Sequence, residues 1–581
     1  MTAMLARPLS PRRQADDRGL NRATAQKRLM IMMLLYGGAV CLVLSKLAFF
    51  AVFAGPASAS TMAGRVARGD IVDRNGAPLA RTIDAWAIGV HPDELLGDKR
   101  DIAQRLAGIL GIDQTKIYAQ LSGTKFAYIE RDASASLVTE VNAIGEPALV
   151  FEREPQRLYP QSELAAPVLG FLDMAGRGAS GMERALDAQL TDPARNGQPI
   201  ALSIDLRAQS ALENELGQQV VALNAKGGAG VVLDVQTGEI MALASFPTFN
   251  PNNPGAAPAP ARTADGREIP GPFFNRVTTA AYELGSTFKP ITMAAAIDSG
   301  TVTSMARRFD ATAPLKIDGF TIHDHDGQNR WLDIPETLIH SSNIATARIA
   351  DEMGGDKLAR MFRLMGFDQP MPFELPARGR TLFPQKFSRI TTMTAGFGHG
   401  IAVTPLHLAA AYAALVNGGI WHPATLMKVA PGQAVPGRRV ISQATSDRMR
   451  QLLRLVVTQG TGKNADAAGF RVGGKTGTAE VATGGGYSKK ANVSTFAAAF
   501  PMDAPRYVVI VMLDSPVGNA QSFGQTTAAY TAAPVVSRFI LRAGPMLGVM
   551  PDARRDIDVS ELLPLLWRAP GAKPQSMADP E

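Results

Sequence analysis

Three short segments bring together residue types that could carry out acyl transfer. Ser286-Thr287-Phe288-Lys289 sets a hydroxyl and an amine three positions apart, on one face of a helix. A serine hydroxyl is a poor nucleophile at neutral pH and needs a base beside it. Lys289 can be that base only if its pKa falls well below the ordinary ~10.4. Burial and a second cation both push it that way, and Lys475, in Gly474-Lys475-Thr476-Gly477-Thr478, is the obvious second cation. In Ser341-Ser342-Asn343, Ser341 can relay a proton between Lys289 and the leaving or incoming amine, and Asn343 offers both a donor and an acceptor to a peptide amide. The same Ser-Ser-Asn stretch could equally cap a helix.

Lys475 to Thr478 falls in a predicted strand, where alternation sets Lys475 and Gly477 on one face and Thr476 and Thr478 on the other, unless twist or a bulge intervenes. Gly477 would admit a substrate backbone. The amides of Ser286 and Thr478 would make a two-donor oxyanion hole, each donor worth ~3–4 kcal/mol of barrier. Lys475 with the hydroxyls of Thr476 and Thr478 would hold a substrate carboxylate.

Each fragment alone is weak, since a second Ser-x-x-Lys occurs at Ser122 to Lys125. Only Ser286 is followed by both of the other patterns, and that ordered triple belongs to serine acyl-transfer chemistry. His323-Asp324-His325-Asp326 has a His-x-His spacing seen in metal sites, but no third histidine follows nearby, and a solvated loop is the better reading. His399, between two glycines, reads as structural or substrate-facing.

The elements that must position these residues come next. Residues 206–223 form one amphipathic helix, with Ala208, Leu212, Leu216 and Val220 on a shared face. Gly230 to Val235, a turn at Gln236-Thr237-Gly238, and Glu239 to Ser245 read as a hairpin. Three more strands are predicted at Arg471–Ala479, Ser494–Phe500 and Tyr507–Leu513, and a covering helix at about Ala533–Leu541. The long stretch between, mainly helical, carries Ser286 and Ser341. The expected fold class is α/β, an antiparallel five-stranded sheet flanked by helices and split by a helical insert.

The 581 residues suffice for two or three domains. The single cysteine, Cys41, excludes an internal disulfide and a cysteine metal cluster. The net charge of +7 does not point to nucleic acid, because residues 1–28 hold seven Arg and Lys against two Asp. That basic tail abuts Leu29–Phe53, almost wholly apolar, which predicts one transmembrane helix with a cytoplasmic N-terminus. A cleaved signal peptide, with Ala57-Ser58-Ala59 as its site, is the alternative. The expected organisation is a cytoplasmic tail at 1–28, a transmembrane helix at 29–53, a non-catalytic α+β pedestal at 54–205, the enzyme at 206–545, and a C-terminal tail at 546–581, disordered from about 566. In the pedestal, residues 93–145 have helical periodicity, Ala148–Phe151 reads as a strand, and Arg184–Leu190 as a helix.

With these motifs the chain resembles the class B penicillin-binding proteins, monofunctional peptidoglycan D,D-transpeptidases, over nearly its whole length. Arg68-Gly69 with Asp73-Arg74-Asn75-Gly76, Arg157-Leu158-Tyr159-Pro160 and Gly181-Met182-Glu183 resemble the boxes of their pedestal. Asn250-Pro251-Asn252, Asn275-Arg276, Tyr282-Glu283-Leu284-Gly285 and Gly398-His399-Gly400 extend the resemblance, which is strongest to the division-specific FtsI branch of Gram-negative bacteria. It implies that Ser286 attacks the penultimate D-Ala carbonyl of a stem peptide and expels the terminal D-Ala, and that an amine of a neighbouring stem peptide resolves the acyl-enzyme. It implies Lys289 as acylation base, Ser341 and Asn343 in proton transfer and positioning, and Lys475, Thr476 and Thr478 on the terminal carboxylate. It also implies inhibition by β-lactams, nascent glycan derived from lipid II as substrate, an inner-membrane anchor with a periplasmic enzyme, and a polytopic glycosyltransferase among other division proteins as partners. No metal or organic cofactor is implied. An elongation enzyme, and more distantly a D,D-carboxypeptidase, are the alternatives. His407 departs from the family, where glutamine is expected.

Overall fold

The structure, a computed structural model, describes residues 68–263, 268–483 and 486–567, together with helical residues at 27, 30–38, 40–42 and 46. Residues 66–581 form one compact unit and residues 1–65 another. Among the described residues no helix is long and apolar enough to cross a membrane. The expected anchor at 29–53 lies partly outside them, and the tail from 568 wholly so.

The pedestal is built on a long strand, Pro78–Val90, which pairs with Ile71–Val72, Ala127–Ala133 and Leu149–Leu158. The helical periodicity of 93–145 resolves into three helices, Lys99–Leu110, Gln114–Leu121 and Ala135–Asn142, capped by Asp98, Asp113 and Ser134. The Ala127–Ala133 strand interrupts them, so the expected run was too uniform. The expected strand at Ala148–Phe151 extends to Leu158, and the expected helix at Arg184–Leu190 is two short ones, Gly181–Ala185 and Asp187–Leu190.

The pedestal boxes meet around one buried carboxylate. Glu183, with no exposed surface, accepts from Arg68 Nε and Arg157 Nε, each at 2.7 Å, and from the Tyr159 hydroxyl at 3.3 Å. Two guanidiniums supply the compensation that a buried carboxylate requires. The boxes also tie the pedestal to the enzyme. Asp73 Oδ2 accepts from Leu206 N at 3.1 Å, and the Asn252 side chain bonds both the amide and the carbonyl of Tyr159 at 2.9 Å.

The enzyme's sheet has the order Gly473–Thr483, Gly486–Phe500, Tyr507–Asp514, Gly227–Asp234, Ile240–Phe246, all antiparallel. Side chains alternate as the pleat demands. Val508, Ile510 and Met512 enter one core, shared with the helix Pro405–Val416. Val509, Val511 and Leu513 enter the other, with the helices Leu206–Ala222 and Ala533–Ala543. Gly227–Asp234, Ile240–Phe246 and Tyr507–Asp514 are buried along nearly their whole length, so they read as continuous apolar runs. All twelve residues of Pro405–Val416 are buried, making it the central helix of the insert.

His407 sits on that helix in place of the expected glutamine. Its Nδ1 meets Thr404 Oγ1 at 2.8 Å and its Nε2 meets the Gln369 carbonyl at 2.9 Å. Burial pushes its pKa down to about 4 from 6.5, so the imidazole is neutral. Below about pH 6.5 the unfolded chain binds the proton that the folded imidazole refuses. Stability therefore falls as pH drops from ~6.5 toward ~4, by on the order of 3 kcal/mol. His407→Gln, which keeps an amide donor for Gln369, should flatten that part of the pH dependence in urea denaturation at pH 7 and pH 4.5.

The expected C-terminal tail begins too early at 546. Leu547, Val549 and Leu562 are buried, Asp556 pairs with Arg454 at 2.7 Å, and Trp567 N donates to Glu336 at 2.7 Å. Residues 546–567 are thus strapped across the enzyme. Sequence reasoning missed this because the strap's contacts are charged and its apolar anchors are isolated.

Candidate active site

The first motif lies on a turn that the fold fixes from several sides. Gly285–Phe288 is a 3-10 turn running into the helix Lys289–Asp298, with Pro290 in its first turn. In a 3-10 turn residues three apart eclipse, which aligns Ser286 with Lys289. Thr287 Oγ1 donates to the Leu284 carbonyl at 2.9 Å, and the buried Tyr412 hydroxyl of the central helix donates to the Thr287 carbonyl at 2.9 Å. Phe288 is wedged among Phe362 and Phe367. Ser286 alone of this stretch is partly exposed, and its hydroxyl makes no side-chain hydrogen bond among the described residues.

The third motif lies against this turn. A Cβ on Gly477 would come within 2.3 Å of the Leu284 carbonyl, and one on Gly285, whose φ is +53°, within 2.9 Å of the Thr478 carbonyl. The close approach at Gly477 expected for a substrate backbone is therefore made first by the chain's own backbone. No larger residue fits without parting the strand from the serine turn.

The second motif completes the group. Ser341 has φ +56°, a left-handed conformation uncommon outside glycine, which is stored strain of the kind found at functional sites. Lys289 Nζ donates to the Ser341 carbonyl and, at 3.1 Å, to its Oγ. Lys475 Nζ donates to the same Oγ at 2.9 Å, and to Thr476 O and Oγ1 at 3.1 and 3.2 Å. Both lysines are fully buried, and among the described residues neither makes an ion pair. Burial first, and then the neighbouring Lys475, hold the Lys289 pKa well below the ordinary range, while Asp324 opposes the shift. Burial also pushes Lys475 down to about 7. Two buried ammoniums on one oxygen repel, which favours the neutral form of one amine and its readiness to take a proton.

The remaining predicted residues divide. Thr478 is exposed, and its Oγ1 accepts from Ala528 N at 3.2 Å, which leaves its hydroxyl proton free to donate. Thr476 is buried, its hydroxyl against Thr461 Oγ1 at 2.8 Å as well as Lys475. The lysine stem, not a bulge, brings Nζ round to Thr476, because the strand register is regular from Gly473 to Glu480. Asn343 Nδ2 donates to the His323 carbonyl at 2.8 Å, and Ser342 is the residue that caps the helix Asn343–Met353. The decoy Ser122 to Lys125 is an exposed helix end in the pedestal.

Asp324 was not foreseen in this role. Its carboxylate accepts from Ser342 Oγ at 2.8 Å and Ile344 N at 2.9 Å, bracing the turn that carries Ser341. The His-Asp-His-Asp stretch is thus a brace for the second motif. Among the described residues no cluster of three or more His, Cys, Asp or Glu is placed to hold a metal. Asp324→Ala leaves two donors without a partner and should lower stability by about 1–3 kcal/mol, read as a shift in the urea midpoint.

Comparison with known proteins agrees with this geometry. The penicillin-binding protein transpeptidase domain matches residues 228–537, and the penicillin-binding protein dimerisation domain residues 64–238. A probable peptidoglycan D,D-transpeptidase FtsI of Caulobacter vibrioides is 39% identical over 493 residues, covering 83% of this chain and 82% of that protein. The peptidoglycan D,D-transpeptidase FtsI of Escherichia coli K12 is 29% identical, covering 85% and 86%. The crystal structure of penicillin-binding protein 3 from Mycobacterium tuberculosis, complexed with aztreonam, aligns with a TM-score of 0.64 at 26% identity, covering 84% of this chain and 98% of that one. With both domains matched in order and three motifs brought into contact, the chain belongs to the class B penicillin-binding proteins.

Proposed function

We propose that this protein is a peptidoglycan D,D-transpeptidase of cell division, which cross-links stem peptides through an acyl-enzyme on Ser286 and is trapped by β-lactams. The observation that carries the reading is the single Ser341 hydroxyl held by both buried lysines, one from each flanking motif. Neutral Lys289 takes the Ser286 proton as Oγ attacks the penultimate D-Ala carbonyl. The amides of Ser286 and Thr478 face the developing oxyanion, a reading supported by the contact between Gly285 and the Thr478 backbone. Ser341 passes the proton to the departing D-Ala amine. Lys475 and the Thr478 hydroxyl receive the terminal carboxylate, Thr476 acting through Lys475, and Asn343 holds the donor peptide's amide.

The same reading gives an anchor at 29–53, a periplasmic enzyme and a place in the septal complex beside a polytopic glycosyltransferase. The pedestal runs to about residue 205, and the enzyme from 206 to at least 567. The likeness to FtsI proteins favours division over elongation, and a fluorescent fusion at midcell instead of the sidewall tests it. Intact mass spectrometry after penicillin treatment tests the chemistry. One adduct, on the peptide containing Ser286, is expected, and an unmodified protein or an adduct elsewhere would overturn the assignment.

A further inference from the structure

The mechanism above leaves unused a hollow of about 440 Å³ that two elements join to the second motif. One is the helix Asn343–Met353, which begins at Asn343 and supplies Arg348, Asp351 and Glu352 to the hollow's wall. The other is the hairpin of Leu315–Ile317 with Phe320–Ile322. Leu315, in the wall, pairs with Ile322, and the next residue, His323, accepts from Asn343 Nδ2 at 2.8 Å. At 1.5 Å per residue, Arg348 lies ~8 Å and Glu352 ~14 Å along the helix from Asn343. Three or four extended peptide residues span ~10–14 Å. The chemistry of this wall is unbalanced. Its three carboxylates are already paired, Glu352 with Arg307 at 2.6 Å, Asp351 with Arg389 at 2.7 Å and Asp310 with Arg348 at 3.4 Å. Arg308 and Lys316, both exposed, make no ion pair among the described residues, and Arg308 acts on Asp333 only at longer range. Arg348 Nε is buried without an acceptor. The wall is thus short of acceptor oxygens and holds two cations in excess. Trp331, 54% exposed, adds an open indole to the same hollow.

Resting on the transpeptidase reading, we propose that this hollow is a subsite for the sugar-proximal, carboxylate-bearing part of the donor strand, the far end of the stem peptide whose D-Ala carbonyl reaches Ser286. Surplus cations beside an open aromatic face suit a carboxylate carried next to a sugar ring. Arg308 and Lys316 take the carboxylate oxygens, and the Trp331 indole covers the apolar face of the ring. Asn343 holds the peptide between the two ends, and the spans along the helix and along an extended peptide agree. Binding this far from the scissile bond holds the donor in register for attack. It also separates a wall strand from a bare D-Ala dipeptide or a penicillin, which are too short to reach the hollow from Ser286.

Protection of Ser286 from fluorescent penicillin reads donor binding in the full-length protein in detergent. The probes are a muramyl pentapeptide with a free glutamate carboxylate, the same compound with that carboxylate amidated, and an N-acyl-D-Ala-D-Ala dipeptide. The carboxylate form should protect at a concentration about tenfold below its amide, an advantage that shrinks with added salt, and the amide at one severalfold below the dipeptide. Arg308→Gln combined with Lys316→Gln should raise the protecting concentration of the carboxylate form by about tenfold and move that of the dipeptide by less than about twofold. Trp331→Ala should weaken both muramyl compounds by about three- to fivefold and spare the dipeptide. No advantage of the carboxylate form in the unsubstituted protein, or an equal loss for all three probes in the variants, would overturn the proposal. Failure of the unsubstituted protein to label at Ser286 would instead overturn the transpeptidase reading.

Discussion

Ser286→Ala is expected to abolish covalent labelling by penicillin and to lower peptide cross-linking by at least ~10⁴-fold, because on the proposed reading the acyl group is carried by the Ser286 oxygen. Ser341, the serine of the second motif, is already engaged by its own contacts. Its Oγ is held by two amines, and its carbonyl is held by Lys289 as well. The substitution should leave the fold intact to within about 0.5 kcal/mol, since Ser286 is partly exposed and its hydroxyl has no side-chain partner among the described residues. Intact mass after penicillin, beside a urea denaturation curve, checks both parts. Labelling that survives the substitution would move the nucleophile elsewhere and undo the assignment of every other role.

The sequence was most legible where chemistry and period coincide. The five strands were readable because apolar residues recur in runs bounded by turn signals, and most of their ends shifted by only a few residues, as at Gly473–Thr483 against the expected Arg471–Ala479, although the expected Ser494–Phe500 begins at Gly486. The three motifs were readable because each pairs a reactive group with a fixed spacing. What stayed hidden is what side chains do across long sequence separations. Tyr412 donating to Thr287, Asp324 bracing Ser342, and the strap at 546–567 leave no local pattern. The pedestal boxes were recognisable as words, but only the structure shows that they share Glu183. His407 looked like a departure, and it proves to be a buried donor and acceptor of the kind glutamine supplies.

Buried charge argues most strongly that this centre is built for reaction. A fully buried ammonium without a carboxylate partner is costly, and folding tolerates it by letting the proton go. Lys289 is in that position, and Lys475 beside it strengthens the effect. Stability alone would favour an apolar side chain in place of Lys289, so its retention here needs another reason. General-base service to Ser286 supplies one.

That reasoning fixes the expected outcome for Lys289→Met. Methionine has nearly the same length, fills the same dry slot beside the Ser341 carbonyl, and carries no charge to desolvate. The variant should be as stable as the parent or more so, by up to about 1–2 kcal/mol, although the Ser341 carbonyl loses its donor. Acylation by penicillin should nevertheless fall by about 10³-fold or more, since the serine proton then has no acceptor within the group. Stopped-flow acylation rates against urea midpoints place the two effects on separate axes. A catalytic base predicts that they move in opposite directions or independently. If the variant instead lost stability and reactivity in proportion, Lys289 would be a structural strut holding Ser341. If it acylated at the normal rate, Lys475 would have to be the base, and its substitution by methionine would then produce the loss predicted here.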